Sequence, residues 1–452
     1  MVLIGLFALN KASDVFLGLA VLSFGLIGLL WPQVLLMAVT LVIPLFPKLP
    51  LIAIKGYVIP VRLDDLLVIF ACLVVLLRET QQKTLLKHVR LALWFLPFLA
   101  LSFASTMWSV SVLGAVDLKT GLLYWLRILE YFSVFFLAVY EVVTHRRFRM
   151  ILYGAFVALF LVGVYGILQR YGYVPVFSAL HPDDQLLVEA SLTGGWNERL
   201  FSTFGGPYEL AGYYVVVLPV AVSFLLDEPR KLRRFLLAAT VILSFTCMYF
   251  TYARAVLPSM GIALGVVFIV VRKKALGIVL CALGAVPLLV FSQLEFFRYR
   301  ISLFFNDPLS DPSTADRVIN RWGIALDSFY ESPWVGTGLG SLDKRGFGVD
   351  GFYMLLLGMV GIIGVVTFLT LIAFILRFQW ISFNTKKVAL PLRKLAAGLL
   401  GATAGLIIYS IFTDGFFVSK IALTFWFLNG LLYAGHRLST KQALPQGCGV
   451  SG

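Results

Sequence analysis

Two arginines one helical turn apart, Arg317 and Arg321, stand in the segment that runs from Asp316 to Gly340, DRVINRWGIALDSFYESPWVGTGLG. It lies in the longest polar stretch of a chain otherwise built from apolar runs. A guanidinium is costly to hold near lipid and presents a fork of donors that fits a phosphate. A pair at a membrane surface therefore points to a bound anion. For a polytopic protein facing outward, the large anion that fits is the diphosphate of a lipid carrier.

Other residues could share that chemistry. Arg254 sits in Tyr252-Ala253-Arg254-Ala255, a minimal connection between two long apolar runs. It reads either as a snorkelling anchor or as a rigidly held anion ligand close to the membrane plane. Arg199 precedes LFSTFGGPYELAGYY, where Gly205-Gly206-Pro207 allows a sharp turn into the next span and Glu209 falls in its first turn. That carboxylate either complements the helix N-terminus, or pairs with an arginine, or acts as a base. Asp350, just before Gly351-Phe352-Tyr353, reads as an N-cap or as a titratable site residue, and Asp414 carries the same ambiguity. Tyr353 reads as an interfacial aromatic or a substrate contact. Gly336-Thr337-Gly338-Leu339-Gly340 lacks the Gly-Lys-Ser/Thr of a phosphate-binding loop and reads as a turn-rich connector. The four histidines have no zinc-ligand spacing, and the four cysteines, Cys72, Cys247, Cys281 and Cys448, none of a metal site. Asp183-Asp184 is an isolated acidic pair. No metal and no cofactor is expected.

The elements that must position these groups are membrane helices. Of 452 residues, 60% are hydrophobic and only 13% charged, and the mean hydropathy is +0.93. Apolar runs long enough to span a bilayer recur, without the short alternating segments of a barrel. The net charge of +14 does not imply nucleic acid. Lys and Arg concentrate in short loops, as topology determinants beside anionic lipid do. The N-terminus shows no basic region followed by a small-residue cleavage site, so no removable signal peptide is expected.

Basic clusters at Arg78–Arg90, His145–Arg149, Arg230–Arg234, Arg272–Lys274, Arg377–Lys394 and from His436 mark the cytoplasmic side. Between them fall pairs of apolar runs, about 90–106 and 121–143, 150–168 and 208–226, 235–252 and 255–271, 275–292 and 352–376, 395–412 and 416–434. With the runs in 14–46 and 65–77, about 12 spans result. The fold class is all-α and polytopic. Residues 1–292 form an N-terminal bundle, 293–351 a long outer loop, 352–436 the closing helices and 437–452 a cytoplasmic tail. Loops 47–63, 107–120, 170–207 and 293–350 then face outside. Within the long loop an amphipathic helix is expected over 314–331, from Ser313-x-x-Asp316 to Ser332-Pro333. One face would carry Val318, Trp322, Ala325, Leu326 and Phe329; the other would carry Arg317, Asn320, Arg321, Ser328 and Glu331.

RLFSTFGGPYELAGYY, TYAR on a short connection, RVINRWGIALDSFYESPWVGTGLG and DGFYMLLLGMVGIIGVVTFL, in this order and topology, resemble the O-antigen ligase and O-antigen polymerase superfamily. The resemblance runs from about Arg199 to Phe425; the first 150 residues match only in hydropathy. It implies a fold like the large helical glycosyltransferases of the C type. It also implies a donor glycan on undecaprenyl diphosphate, transferred with inversion to a sugar hydroxyl without nucleotide or metal. The acceptor is the lipid A core in ligases and another carrier-linked unit in polymerases. The site would face the periplasm from the inner (cytoplasmic) membrane, with membrane lipid as the surroundings. On the family pattern Arg254 matches the arginine of the short loop, and Arg317 or Arg321 that of the long loop, with Arg199 as a further diphosphate ligand. Tyr252, Trp322 and Tyr353 are candidates for substrate contact. Ligases also carry a histidine at the end of the long loop. Here Gly346-Phe347-Gly348-Val349-Asp350-Gly351-Phe352-Tyr353 has none. The base then falls to Asp350 or Glu209, and a polymerase is favoured over a ligase, with a flippase or transporter for the lipid-linked oligosaccharide as the reading from another class.

Overall fold

The computed structural model describes residues 31–46, 50–52, 61–81, 89–174, 199–272, 315–342, 348–386 and 388–442. The first apolar run, the span expected over 275–292, parts of the 170–207 and 293–350 loops, Asp183-Asp184, Cys281 and Cys448 lie outside the described residues.

The helices are α1 (Pro32–Leu45), α2 (Leu63–Gln81), α3 (Val89–Trp108), α4 (Leu118–Glu141), α5 (His145–Arg170), α6 (Pro207–Leu225), α7 (Lys231–Phe250), α8 (Val256–Val270), α9 (Trp322–Glu331), α10 (Phe352–Asn384), α11 (Leu390–Phe412) and α12 (Ser419–Gln442). A short antiparallel pair, β1 (Pro50–Ile52) and β2 (Val61–Arg62), precedes α2. Local signals set several starts. Asp117 caps α4 by accepting from the Thr120 amide at 3.0 Å, and Thr144 caps α5 by accepting from the Arg147 amide at 3.2 Å. Pro207 opens α6 behind the extended Gly206.

Seven described helices are long and apolar enough to cross a membrane: Leu91–Leu113, α4, α5, α6, α7, α10 and α11. Helix α8 and the stretch Gln33–Leu45 are apolar but shorter. The chain is a multi-pass helical membrane protein. Packing in such a bundle comes from close backbone approach rather than from the hydrophobic effect alone. Helix α11 shows how. A Cβ at Gly401 would stand 2.4 Å from the Ala263 carbonyl oxygen of α8, and one at Gly398 would stand 2.4 Å from the Val220 Cα of α6. Phe95, Phe132, Phe135 and Trp426 interlock α3, α4 and α12, with ring centroids 4.9–5.5 Å apart. In the same bundle the Gln379 amide of α10 donates at 2.8 Å to both Thr403 of α11 and Asn429 of α12.

Ion pairs tie α2 to α4 at both ends. Arg127 bonds Asp65 and lies 3.2 Å from Glu130, while Arg78 lies 2.7 Å from Glu141. All these carboxylates are buried. Removing one partner of such a pair strands the other in a low dielectric.

The bundle has two chemically different ends. At one, Arg78 and Arg147 converge on Glu141, Arg437 donates to the Val139 carbonyl, Arg233 lies over Tyr153, and Lys394 donates to the Asp227 carbonyl. These are the basic clusters of the sequence, gathered from distant helices. The other end collects the starts of α6, α8, α10 and α12 and the finishes of α5, α7 and α11.

The α8–α11 contact gives a direct test. Gly401→Ala should destabilise the protein by about 1–3 kcal/mol, because its methyl meets backbone. Gly261→Ala on α8, where nothing lies within 4 Å, should leave thermal unfolding in detergent unchanged or slightly raised. Equal behaviour of the two variants would show that α8 and α11 do not pack this closely.

Candidate active site

Within the stretch 314–331, where a helix is expected, the described residues are helical, but not as a plain α-helix. Asp316–Arg321 winds as a π-helical turn that runs into α9. The wider turn brings residues five apart into register. Arg321 Nε donates to Asp316 Oδ2 at 2.7 Å, and Asn320 Nδ2 donates to the other carboxylate oxygen at 2.9 Å. The buried stripe is rotated relative to expectation. Ala325 and Ser328 are fully buried, whereas Val318 is exposed. The reason is the neighbour: α9 lies against α10 at Gly358, where a Cβ would stand 3.1 Å from the Ala325 carbonyl. The small side chains Ala325 and Ser328, rather than the larger apolar ones, are fully enclosed.

Both arginines of this turn reach Asp350. Arg317 Nη2 lies 3.5 Å from Asp350 Oδ2, and Arg321 Nη1 lies 3.3 Å from Oδ1 while also donating to the Gly348 carbonyl at 3.0 Å. Trp322 Nε1 donates to the Asp350 carbonyl at 2.7 Å. The next residue, Gly351, has φ +100° and begins α10. Its amide donates to Asp414 Oδ1 at 3.0 Å, and the Phe352 amide donates to the Thr413 carbonyl at 3.0 Å. A side chain at Gly351 would strike the Ile411 carbonyl at 2.7 Å. Asp350 is therefore not the N-cap of α10. Gly351 takes that position, and the Asp350 carboxylate is turned to the arginines. Among the described residues, the buried Arg317 Nε has no hydrogen-bond acceptor.

The segment after α9 is rich in turns and is buried from Gly336 on. Thr337 and Leu339 are fully buried. Helix α10 breaks at Gly361, with φ 71° and ψ −174°, and the segment fills the break. In an unbroken helix the Gly358 and Met359 carbonyls would accept from the amides of Ile362 and Ile363. Here those carbonyls accept from Thr337 and Gly338 at 3.0 and 2.9 Å, and the freed amides donate to Pro333 and Trp334 at 2.9 and 3.4 Å. Ser105 of α3 adds a second donor to Met359 at 2.9 Å. Gly336, at φ +73°, allows the fit, since a Cβ there would lie 2.4 Å from the Met359 backbone.

Arg199, Glu209 and Arg254 lie at the same end of the bundle, on a second set of helix termini. The Leu200 amide donates to the Phe250 carbonyl at 2.9 Å, joining the stretch before α6 to the end of α7. The Arg199 guanidinium lies 5.7 Å over the Tyr208 ring. Glu209, 6% exposed, accepts from the Gly205 amide at 2.9 Å and so completes the turn into its own helix. Arg254 is exposed in the α7–α8 turn. Tyr409 of α11 links the two sets. Its hydroxyl donates to the Tyr208 carbonyl, and its main-chain carbonyl accepts from the amide of Thr413, the residue before Asp414, at 3.2 Å. The Tyr353 hydroxyl donates to the Ile407 carbonyl at 3.1 Å.

Two buried polar residues hold the Arg199–Glu209 stretch and have no motif to announce them. Gln169 accepts from the amides of Phe201 and Ser202 at 3.1 and 2.8 Å. Lys420, fully buried, donates to the Phe46 and Thr203 carbonyls at 2.6 and 2.7 Å. A lysine one residue into a long apolar helix was the available signal.

Hydrogen bonds from Asn320 and Arg321 hold the Asp316 carboxyl below its ordinary range, and the Asp316 bond in turn raises the Arg321 guanidinium. With a lowered folded value, the stabilisation from this group is present above the ordinary carboxylate range. It is lost as pH falls through the lowered value. In a 13C titration of the aspartate carboxyls, Asp316 should protonate at lower pH than an ordinary exposed aspartate. Asn320→Ala should move it back upward. An Asp316 that titrates ordinarily in the unaltered protein would show that the π-helical pairing does not persist in solution.

A comparison with curated proteins finds no match. Against protein families, residues 238–354 match the O-antigen ligase family. The match covers under half of the chain and is narrower than the stretch from Arg199 to Phe425. It includes Tyr252, Arg254, Arg317, Arg321, Trp322, Asp350 and Tyr353, but neither Arg199, Glu209 nor Asp414. Through this segment, which carries both the short-turn arginine and the arginine pair at Asp350, the chain is similar to the O-antigen ligase family.

Proposed function

We propose that the protein is a membrane glycosyltransferase that moves a glycan from an undecaprenyl-diphosphate carrier to a sugar hydroxyl. The observation that carries this reading is the convergence of Arg317 and Arg321 on Asp350, inside the O-antigen ligase match and at the end of the bundle opposite the basic clusters. By the positive-inside rule, the basic end is cytoplasmic and the site faces outward. In the full reading the chain has about 12 spans in a fold like the C-type glycosyltransferases, in the inner membrane with the site toward the periplasm.

The chemistry follows from the residues. The leaving group is a diphosphate, so catalysis consists mainly of neutralising charge that develops on it. Guanidinium groups do this at any working pH and without a metal. Arg317, Arg321 and Arg254, with Arg199, are the proposed ligands. Asp350 is bonded to two of these same groups at 3.3 and 3.5 Å, loosely for charge-assisted contacts. A diphosphate that takes those donors releases Asp350, whose carboxylate then accepts the proton of the acceptor hydroxyl. Glu209 is the alternative base. The acceptor oxygen attacks the anomeric carbon from the face opposite the diphosphate. The bond from that carbon to the phosphate oxygen breaks with its electron pair, and the configuration inverts. The absence of a histidine near Asp350 favours a polymerase, with a carrier-linked unit as acceptor, over a ligase acting on the lipid A core.

Purified protein should extend undecaprenyl-diphosphate-linked repeat units in detergent with EDTA and without nucleotide. A ladder formed without lipid A core marks a polymerase; product formed only with the core marks a ligase. Arg254→Ala and Arg321→Ala should each slow transfer by about 100-fold or more. Folded variants that transfer at the unaltered rate would refute the diphosphate role.

A further inference from the structure

Several cations at the basic end of the bundle are taken up by the protein itself. Arg78 and Arg147 hold Glu141, while Arg437, Lys394 and Arg393 donate to the Val139, Asp227 and Phe383 carbonyls. The starts of α5 and α7 differ. Arg146 and Arg149 on α5, and Arg230, Arg233 and Arg234 on α7, are exposed. Among the described residues, none of these five guanidinium groups bonds to a carboxylate. Glu228, close by in sequence, accepts from the Arg230 amide at 3.3 Å instead.

These two helix starts lie side by side. The Arg233 guanidinium donates to the Tyr153 hydroxyl at 3.1 Å and lies 5.4 Å over its ring. Further along, a Cβ at Gly163 of α5 would stand 2.8 Å from the Leu243 side chain of α7. The two contacts have the same spacing on both helices, so α5 and α7 run parallel and in register. Arg149 then comes level with the turn from Arg230 to Arg234. Arg146, Arg149 and Tyr153 share one face of α5. Like charges brought together in this way repel, and cations at a helix start oppose its macrodipole. Neither helix has an acid in its first turn to offset them. The positive-inside rule accounts for cations at this end. It does not account for cations of two helices gathered around one tyrosine without a counter-charge.

The surface beyond the arginines identifies the counter-charge. Val157 and Phe160 continue the α5 face, Leu236 follows Arg233 by one turn, and all three are exposed. Guanidinium groups bordering an open apolar surface match a phosphate carried on acyl chains. We propose that the starts of α5 and α7 bind the headgroup of an anionic phospholipid. Its phosphate lies between Arg149 and Arg233, the latter oriented by Tyr153, and its acyl chains follow Val157 and Phe160. The site is at the end of the bundle opposite Asp350 and does not rest on the donor reading.

Titration of the full-length protein in detergent with phosphatidylglycerol and with phosphatidylcholine, read by native mass spectrometry, tests the proposal. The unaltered protein should bind phosphatidylglycerol more tightly. Arg149→Gln with Arg233→Gln should weaken that binding about 30-fold, and Arg149→Gln alone about fivefold. Arg377→Gln, an exposed arginine at the same end but outside the cluster, should leave it unchanged. Variants that bind phosphatidylglycerol as the unaltered protein does would overturn the site. So would an equal loss in Arg377→Gln, which would mark a diffuse charge effect, or equal affinity for the two lipids. Excess inorganic phosphate should not displace the lipid; displacement would assign the cluster to a free anion and overturn the lipid site.

Discussion

A helix that breaks inside a membrane protein leaves carbonyl and amide groups without their intrahelical partners, and lipid supplies none. The arrangement of this molecule depends on how α10 meets that constraint at Gly361. The stretch from Pro333 to Gly338 enters the break and exchanges partners with it, carbonyl for carbonyl and amide for amide. The exchange anchors the chain one turn beyond α9. It therefore fixes where α9 lies on α10, and with it the direction in which Arg317 and Arg321 point. Gly351, at the start of the same helix, turns Asp350 back toward them. A broken helix is also a feature of transporters, where charged groups gather at the break. Here the break is filled by backbone, serine and threonine.

Around Asp350 the side-chain contacts are longer than the main-chain ones. Its two guanidinium contacts are long, whereas its main chain is held firmly, the carbonyl by Trp322 at 2.7 Å and the following amide by Asp414 at 3.0 Å. The backbone is positioned while the carboxylate can change partners. Arg321 keeps a shorter bond to Asp316, so its orientation does not rest on Asp350 alone. The π-helical turn makes this possible, since it sets the donors of one guanidinium between two carboxylates.

The second set of residues is held by buried polar side chains. Gln169 and Lys420 satisfy backbone groups in the stretch that leads from Arg199 to Glu209, at a place where no helix or strand could do so. Burying an ammonium is expensive unless its protons are taken, and the carbonyls of Phe46 and Thr203 take them. The Phe204 ring, 4.6 Å away, adds its face. The cost of that lysine is spent on precision in a segment without secondary structure of its own.

Sequence alone determined that this is a helical membrane protein and where most of its described spans begin and end, and it singled out the arginines proposed as ligands. Those features are local. Span length follows from bilayer thickness, basic loops follow from one-sided charge, and an arginine beside lipid is conspicuous wherever it occurs. The helix over 314–331 was legible for the same reason, through its capping residues and its periodicity. Its π-helical first turn and the burial of Ser328 were not, because both depend on α10 lying against it. Gly336-Thr337-Gly338-Leu339-Gly340 shows the limit most clearly. Its composition is that of a surface turn, and only the broken helix that it fills gives those glycines their purpose. Likewise Asp350, Asp414 and Arg321 are separated by tens of residues. Their meeting rests on long-range packing, which no local pattern records, and that meeting is what makes scattered charges a candidate site.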